Sequence, residues 1–425
     1  MSKVYHFEIF GLREDKYDWL DQHSIENVKW NKLEPKSEFY LFIPQDAKLQ
    51  SEYMKFEKIT DIFPVNSVGI VTARDALTIG WTEDEIWNRV RNFARLEKEL
   101  ARETYQLGKD ARDWKVELAQ NDLKESGLDK KNLTEILYRP FDLRYTYYTG
   151  KSRGFHCMPR DDVMQHLMKK NIALCVGRQS AVIGSDNYDI VFISENIVDL
   201  NLFRRGGELV FPLYIYAAKN SKSIGNYSQL MLFEPEVKYK SKKPNIIPEL
   251  FAKLKENFKR KITPEEIFYY IYAVLYSATY RTKYAEFLKI DFPRVPFTQN
   301  YKLFIRLEKL GKQLADLHLL KSKELENTIS KFQGKGNNKV EKPKFEEGKV
   351  WINKEQYFDG IKEEVWEYQI GGYQVCAKWL KDRKGRTLTL DEIKTYCKIT
   401  TALSKTIETQ KEIDKYFDNI EKTAC

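Results

Sequence analysis

The chain has 425 residues, 42% hydrophobic and 31% charged, with 71 Lys+Arg against 62 Asp+Glu and a formal net charge of +9. That apolar content excludes global disorder, and the length asks for two or three domains. No apolar run approaches the ~18–20 residues of a membrane span and no apolar signal core opens the chain, so a soluble cytosolic protein is expected.

The first segment alternates as a strand would, Val4, His6 and Glu8 against Tyr5, Phe7 and Ile9, and a second strand is expected at Phe39–Ile43 before Pro44. Thr82-Glu83-Asp84-Glu85 has the form of a capping box, and Ile86, Val90, Phe93 and Ala94 follow at helical spacing. Near Leu137 the pattern turns to strands. Leu143–Tyr148, Ile172–Val176, Asp189–Ile193, Ile197–Leu202 and Leu209–Tyr216 are expected as strands, with a short helix around Asp162–Met168.

From Thr263 the chain is helical again. Thr263-Pro264-Glu265-Glu266 joins a capping box to a proline in the first turn, ahead of the stripe Ile267, Ile271, Val274, Leu275, Ala278. Leu303, Leu307, Leu310, Leu314 and Leu317 form a narrow seam. Residues 321–349 are polar and are expected as a flexible loop. A long final helix runs from Leu390, capped by Thr389 and Glu392. The expected fold is α+β: a mixed sheet with long loops in a central domain, flanked by helical regions and a C-terminal helical bundle. The parts divide as 1–48, 49–136, 137–262 and 263–425.

Chemistry is notable for what is missing. Cys157, Cys175, Cys376, Cys397 and Cys425 are scattered, and five histidines lack ligand spacing, so neither a disulfide framework nor a zinc site is encoded. Lys331-Phe332-Gln333-Gly334-Lys335-Gly336 contains the Phe-x-Gly-x-Gly string by which methyltransferases hold S-adenosylmethionine, but no apolar strand precedes it. The Asn/Asp-Pro-Pro-aromatic turn of amino-methylases is absent; Phe211-Pro212-Leu213-Tyr214 is the nearest string. Glu236-Val237-Lys238 mimics half of a metal-dependent nuclease site, whose upstream acid would have to be Asp199.

Positive charge is unevenly placed. Lys238 to Lys261 holds nine basic and two acidic residues; Arg139 to Arg178 holds eight and three, interleaved with tyrosine and phenylalanine. Lys151, Arg153, His156, Arg160, Arg178, Gln179, Arg204 and Arg205 lie in or beside glycine-marked turns. Arg and Gln are the side chains that read guanine and adenine edges, and basic loop residues neutralise phosphates.

The run Leu137-Tyr138-Arg139-Pro140-Phe141-Asp142-Leu143-Arg144-Tyr145 resembles the Tyr-Arg-Pro-Phe-Asp-x-Arg signature of target-recognition domains in type ISP and related single-chain restriction–modification enzymes. The likeness continues through Phe155–Arg160, Gly177-Arg178-Gln179, Ile290–Pro296, Ile370–Val375 and Lys378–Arg386. It implies a C-terminal specificity domain that positions double-stranded DNA for an adenine-N6 methyltransferase. The cofactor S-adenosylmethionine would bind on the methyltransferase part, none in this chain. That catalytic region would lie on a separate chain or a missing N-terminal part, residues 1–48 being the trailing edge of its sheet. Tyr138, Arg139, Pro140, Phe141, Asp142 and Arg144 are expected to be structural, with Arg139 and Asp142 paired. The competing readings are an active methylase or nuclease with unrecognised motifs, and a helical scaffolding protein.

Overall fold

The computed structural model describes residues 3–9, 13–35, 42, 46–178, 188–204, 207–217 and 242–424. The chain divides into two compact units, Met1–Lys55 and Phe56–Cys425. In the first, Val4–His6 pairs antiparallel with Asn31–Leu33, and the helix Arg13–Gln22 lies between them in sequence. Trp19 joins the pieces by stacking on Phe7 at 4.9 Å and on His23 at 3.9 Å. The expected strand at Phe39–Ile43 lies, Phe42 apart, outside the described residues.

The second unit opens with short helices. Glu83–Arg95 buries Ile86, Val90, Phe93 and Ala94, the expected stripe, and Thr82 caps it by accepting the Glu85 amide at 3.2 Å. With Val116–Glu125 this helix packs a core around Trp114, Tyr147, Phe155 and Cys157. The hairpin Leu133–Arg139/Asp142–Tyr147 follows and takes Ile197–Val198 as a parallel neighbour, which makes a mixed three-stranded sheet. Its turn is Pro140–Phe141. Phe141 accepts a left-handed φ of 62° because its ring is anchored, edge-on to Phe192 at 5.1 Å and His318 at 5.6 Å. A second, antiparallel sheet runs Ser67–Val68, Leu209–Pro212, Ala173–Val176, Val191–Ser194. The fold is α+β.

The C-terminal helices form as their signals predict. Thr263 and Glu266 make a full capping box for Pro264–Tyr276, and Thr389 and Glu392 another for Leu390–Lys422. That last helix has 33 residues, about 50 Å at 1.5 Å per residue. Ala278 is exposed, since Pro264–Tyr276 has already ended. The seam from Leu303 to Leu317 is buried throughout on Tyr301–His318. No helix among the described residues is long and apolar enough to cross a membrane.

Residues 321–349 are not a flexible loop. Lys331–Gln333, Lys344–Glu346, Lys349–Trp351 and Tyr357–Asp359 form a four-stranded antiparallel sheet. Lysine and glutamate occupy the outward positions of three-residue strands while Val350 and Phe358 are buried. A period of two was therefore hidden behind polar composition.

Candidate nucleic-acid interface

The signature hairpin is a buried electrostatic hub. Arg139 and Asp142 face each other in the hairpin register, but their side chains pair elsewhere, a correction to the expectation. Arg139 leans toward the parallel strand and meets Asp199, the residue after it, at 2.8 Å. Asp142, 1% exposed, accepts from Arg144 at 2.8 Å, two residues on and so on the same strand face, and from Arg383 at 2.9 Å. The guanidinium groups of Arg144, Arg383 and Arg386 stand 3.9, 4.8 and 3.7 Å from the Trp81 ring centre. Arg139 and Arg144 both stand over Tyr138, whose hydroxyl donates to Asp75 at 2.8 Å. Burial pushes the Asp199 carboxyl up to about 6 against the pull of the Arg139 guanidinium. Asp199 is thus committed to the hub, and Glu236-Val237-Lys238 lies outside the described residues.

Residues 149–160 are built differently. Phe155, His156 and Cys157 face inward and are buried; Lys151, Ser152 and Arg153 face outward and are exposed. The underside is fixed by Asp122, which accepts the Phe155 amide at 2.7 Å and the Thr149 hydroxyl at 2.8 Å. Burial pushes the Asp122 carboxyl up, and those bonds oppose the shift. Trp114 donates its indole N–H to the Phe155 carbonyl at 3.2 Å, and Met158 exchanges backbone bonds with Val71. A Cβ on Gly154 would lie 2.2 Å from the Asp122 carboxylate, so only glycine fits there. The loop is a rigid platform.

Its cations are lightly held. Arg153 has φ 57°, a 63% exposed side chain and one partner at 3.3 Å, Asp113, which Arg112 shares. Lys151 pairs with Glu125, both exposed. Surface pairs of this kind contribute ~0–1 kcal/mol and exchange readily for a phosphate. Arg160, half-buried at φ 57°, starts the helix Asp161–Met164, and its Nε is buried without a partner. Arginines held in left-handed backbone on a packed loop mark strain at a candidate site.

His156 is a correction. It is 1% exposed, so no phosphate reaches it. Thr146 gives its hydroxyl hydrogen to the Thr78 carbonyl at 2.7 Å, so the His156 Nε2–H donates to Thr146 Oγ at 2.8 Å. The imidazole is neutral, burial holding its pKa down to about 4. Arg178 and Arg204 are exposed, while Gln179 and Arg205 lie outside the described residues. Gly177 ahead of Arg178 is pinned, its amide donating to Ile190 at 2.9 Å and its carbonyl accepting from Tyr188 at 3.1 Å. The Arg178 guanidinium stands 5.5 Å from the Phe292 ring centre. The Arg204 amide donates to Gly371 at 2.7 Å.

Sequence reasoning missed Asp122, Trp114 and Asp113, which hold the loop. They lie 27 to 44 residues from what they bind, beyond any local signal. The glycine string at Gly334 and Gly336 is explained by packing. A Cβ on Gly334 would meet the Glu355 carbonyl at 2.0 Å, and one on Gly336 the Gln356 amide oxygen at 2.6 Å. Gln356, buried, then accepts the Asn338 amide at 2.8 Å. The string leads into no helix, so it is not a cofactor loop. Among the described residues no cluster of His, Cys, Asp or Glu could hold a metal ion.

The model of the Type ISP C-terminal specificity domain matches residues 61–412. No curated protein matches the chain. Among solved structures, the DrdV–DNA complex is similar at TM-score 0.67 and 19% identity, over 94% of this chain and 42% of that one. A nuclease-deletion mutant of the Type ISP restriction-modification enzyme LlaGI, in complex with a DNA substrate mimic, gives 0.64 and 19%, over 97% and 39%. The ATP-dependent Type ISP restriction-modification enzyme LlaBIII bound to DNA gives 0.63 and 18%, over 90% and 25%. The chain thus spans less than half the length of these relatives. Because the family match takes in the helical scaffold, the exposed loop and the arginine–aromatic hub together, the chain belongs to the Type ISP C-terminal specificity domain family.

Proposed function

We propose that this chain reads duplex DNA for a restriction–modification adenine-N6 methyltransferase, whose catalytic part lies outside these residues. The observation that carries the reading is the 149–160 platform, a rigid loop that exposes Lys151 and Arg153 while its underside is locked into the core. Rigidity suits the task, because a base-reading contact tolerates little angular error. Arg178, mounted on a pinned strand end, is the base-reading candidate; Lys151, Arg153, Arg160 and Arg204 hold phosphates. Extruding an adenine costs a few kcal/mol of unstacking, and grip on the duplex supplies it. The methyl donor and the base pocket belong to the catalytic part.

Fluorescence anisotropy with duplex DNA tests the reading. With the four phosphates held by these cations neutralised, affinity falls roughly 150-fold between about 50 mM and about 200 mM salt. No binding at low salt, or binding indifferent to salt, overturns it. Tritiated methyl transfer to plasmid DNA by this chain alone, above buffer background, overturns the assignment of catalysis to another part.

A further inference from the structure

The basic stretch ending at Lys261 plays no part in the interface above. The helix Pro248–Phe258 stops at Lys259, which takes a left-handed backbone, φ 55° and ψ 30°. Helices that end this way ordinarily use glycine or asparagine there, because a Cβ is strained in that conformation. Here a charged lysine occupies the position, and Arg260 and Lys261 follow it. Lys255, one turn back, Lys259, Arg260 and Lys261 are all exposed.

The cluster is firmly mounted. Phe258 and Ile262, on either side, are buried, and Phe258 packs on Tyr301 at 5.5 Å and Phe304 at 5.1 Å. The Arg260 guanidinium stands 4.9 Å from the Tyr301 ring centre. Among the described residues none of these four cations forms an ion pair, whereas Lys253 of the same helix pairs with Glu57. The next carboxylates along the chain are engaged elsewhere: Glu265 accepts the Tyr214 hydroxyl at 2.5 Å, and Glu266 closes the capping box on Thr263.

We propose that Lys255, Lys259, Arg260 and Lys261 form a second, sequence-independent contact to the phosphodiester backbone of the duplex that the 149–160 platform engages. This rests on the DNA reading above. A polyanion fits better than a protein partner. Binding a protein calls for an apolar or aromatic anchor, and no large hydrophobic residue among the described residues between Met168 and Leu390 is exposed. A phosphate backbone needs only unpaired charge on a fixed mount.

The test compares the wild-type chain with Lys259→Gly and with Lys259→Gly/Lys261→Gln, for cognate and random duplexes over a salt series. Lys259→Gly is expected to raise the melting temperature, since the strain is relieved, while weakening both duplexes. The double variant is expected to lose about five- to tenfold affinity for both duplexes equally and to flatten the salt slope by about two units. A double variant with wild-type affinity and slope overturns this contact and leaves the DNA reading standing. A Lys259→Gly variant that melts lower and binds as wild type assigns the cations to the helix end and also overturns it. Wild-type chain that binds no duplex removes both proposals together.

Discussion

The Tyr138–Arg144 hub and the 149–160 platform draw on the same residue types, arginine, tyrosine and aspartate, within a few residues of each other. In the hub, guanidinium groups are buried, paired with Asp142, Asp199 and Glu392, and laid over Trp81 and Trp379. On the platform the aspartate is buried and the cations stand outside. The difference lies in whether the cations follow the carboxylates inward: in the hub both are buried, on the platform only Asp122 is. Where the arginine goes in, charge is spent on joining the hairpin to residues 241 positions away. Where Asp122 goes in, it organises a loop and leaves the cations exposed, held only by surface pairs.

Breaking the hub has the largest expected effect. Asp142→Ala leaves the buried Arg383 with Glu392 alone and the part-buried Arg144 with only Asp382, at 3.6 Å, and is expected to cost about 3 kcal/mol in chemical denaturation. A loss below about 1 kcal/mol would mean the hub is not holding the hairpin. Acid acts on the platform side. His156 is held neutral with a pKa near 4, while the unfolded chain titrates near 6.5. As pH falls through that window the unfolded state takes up the proton first, so stability falls with it, by roughly 3 kcal/mol from this group at pH 4. Replacing it by His156→Gln should flatten that part of the stability–pH curve; an unchanged curve assigns the acid loss elsewhere. A smaller change separates reading from holding. Arg178→Ala is expected to cost about 1–3 kcal/mol toward the cognate duplex and little toward random DNA. Competition binding with cognate and scrambled duplexes measures this, and an unchanged specificity ratio removes Arg178 from the reading site.

The fold was legible wherever its signal is local. The capping boxes at Thr263 and Thr389, the stripe from Ile86 to Ala94 and the seam from Leu303 to Leu317 form as their spacing predicts. The sheet of Lys331–Asp359 was hidden because outward lysines and glutamates outnumber the inward Val350 and Phe358. The site was legible only in part. Glycine-marked turns pointed to the loop, but burial of His156 depends on Thr146 and Thr78, and the pairs Arg139–Asp199 and Asp142–Arg383 join distant segments. The family resemblance ran through both Leu137–Tyr145 and Lys378–Arg386 but left them in separate parts of the chain and did not foresee the Asp142–Arg383 pair.

The platform's role rests most directly on Arg153, an exposed and strained cation with a single shared partner. Salt dependence of duplex binding, measured side by side for the wild-type chain and Arg153→Ala, isolates it. The variant is expected to weaken cognate and random duplexes about equally and to flatten the slope of log affinity against log salt by about one unit. Identical slopes and affinities in a variant that keeps its melting temperature would contradict the platform as the surface that holds DNA.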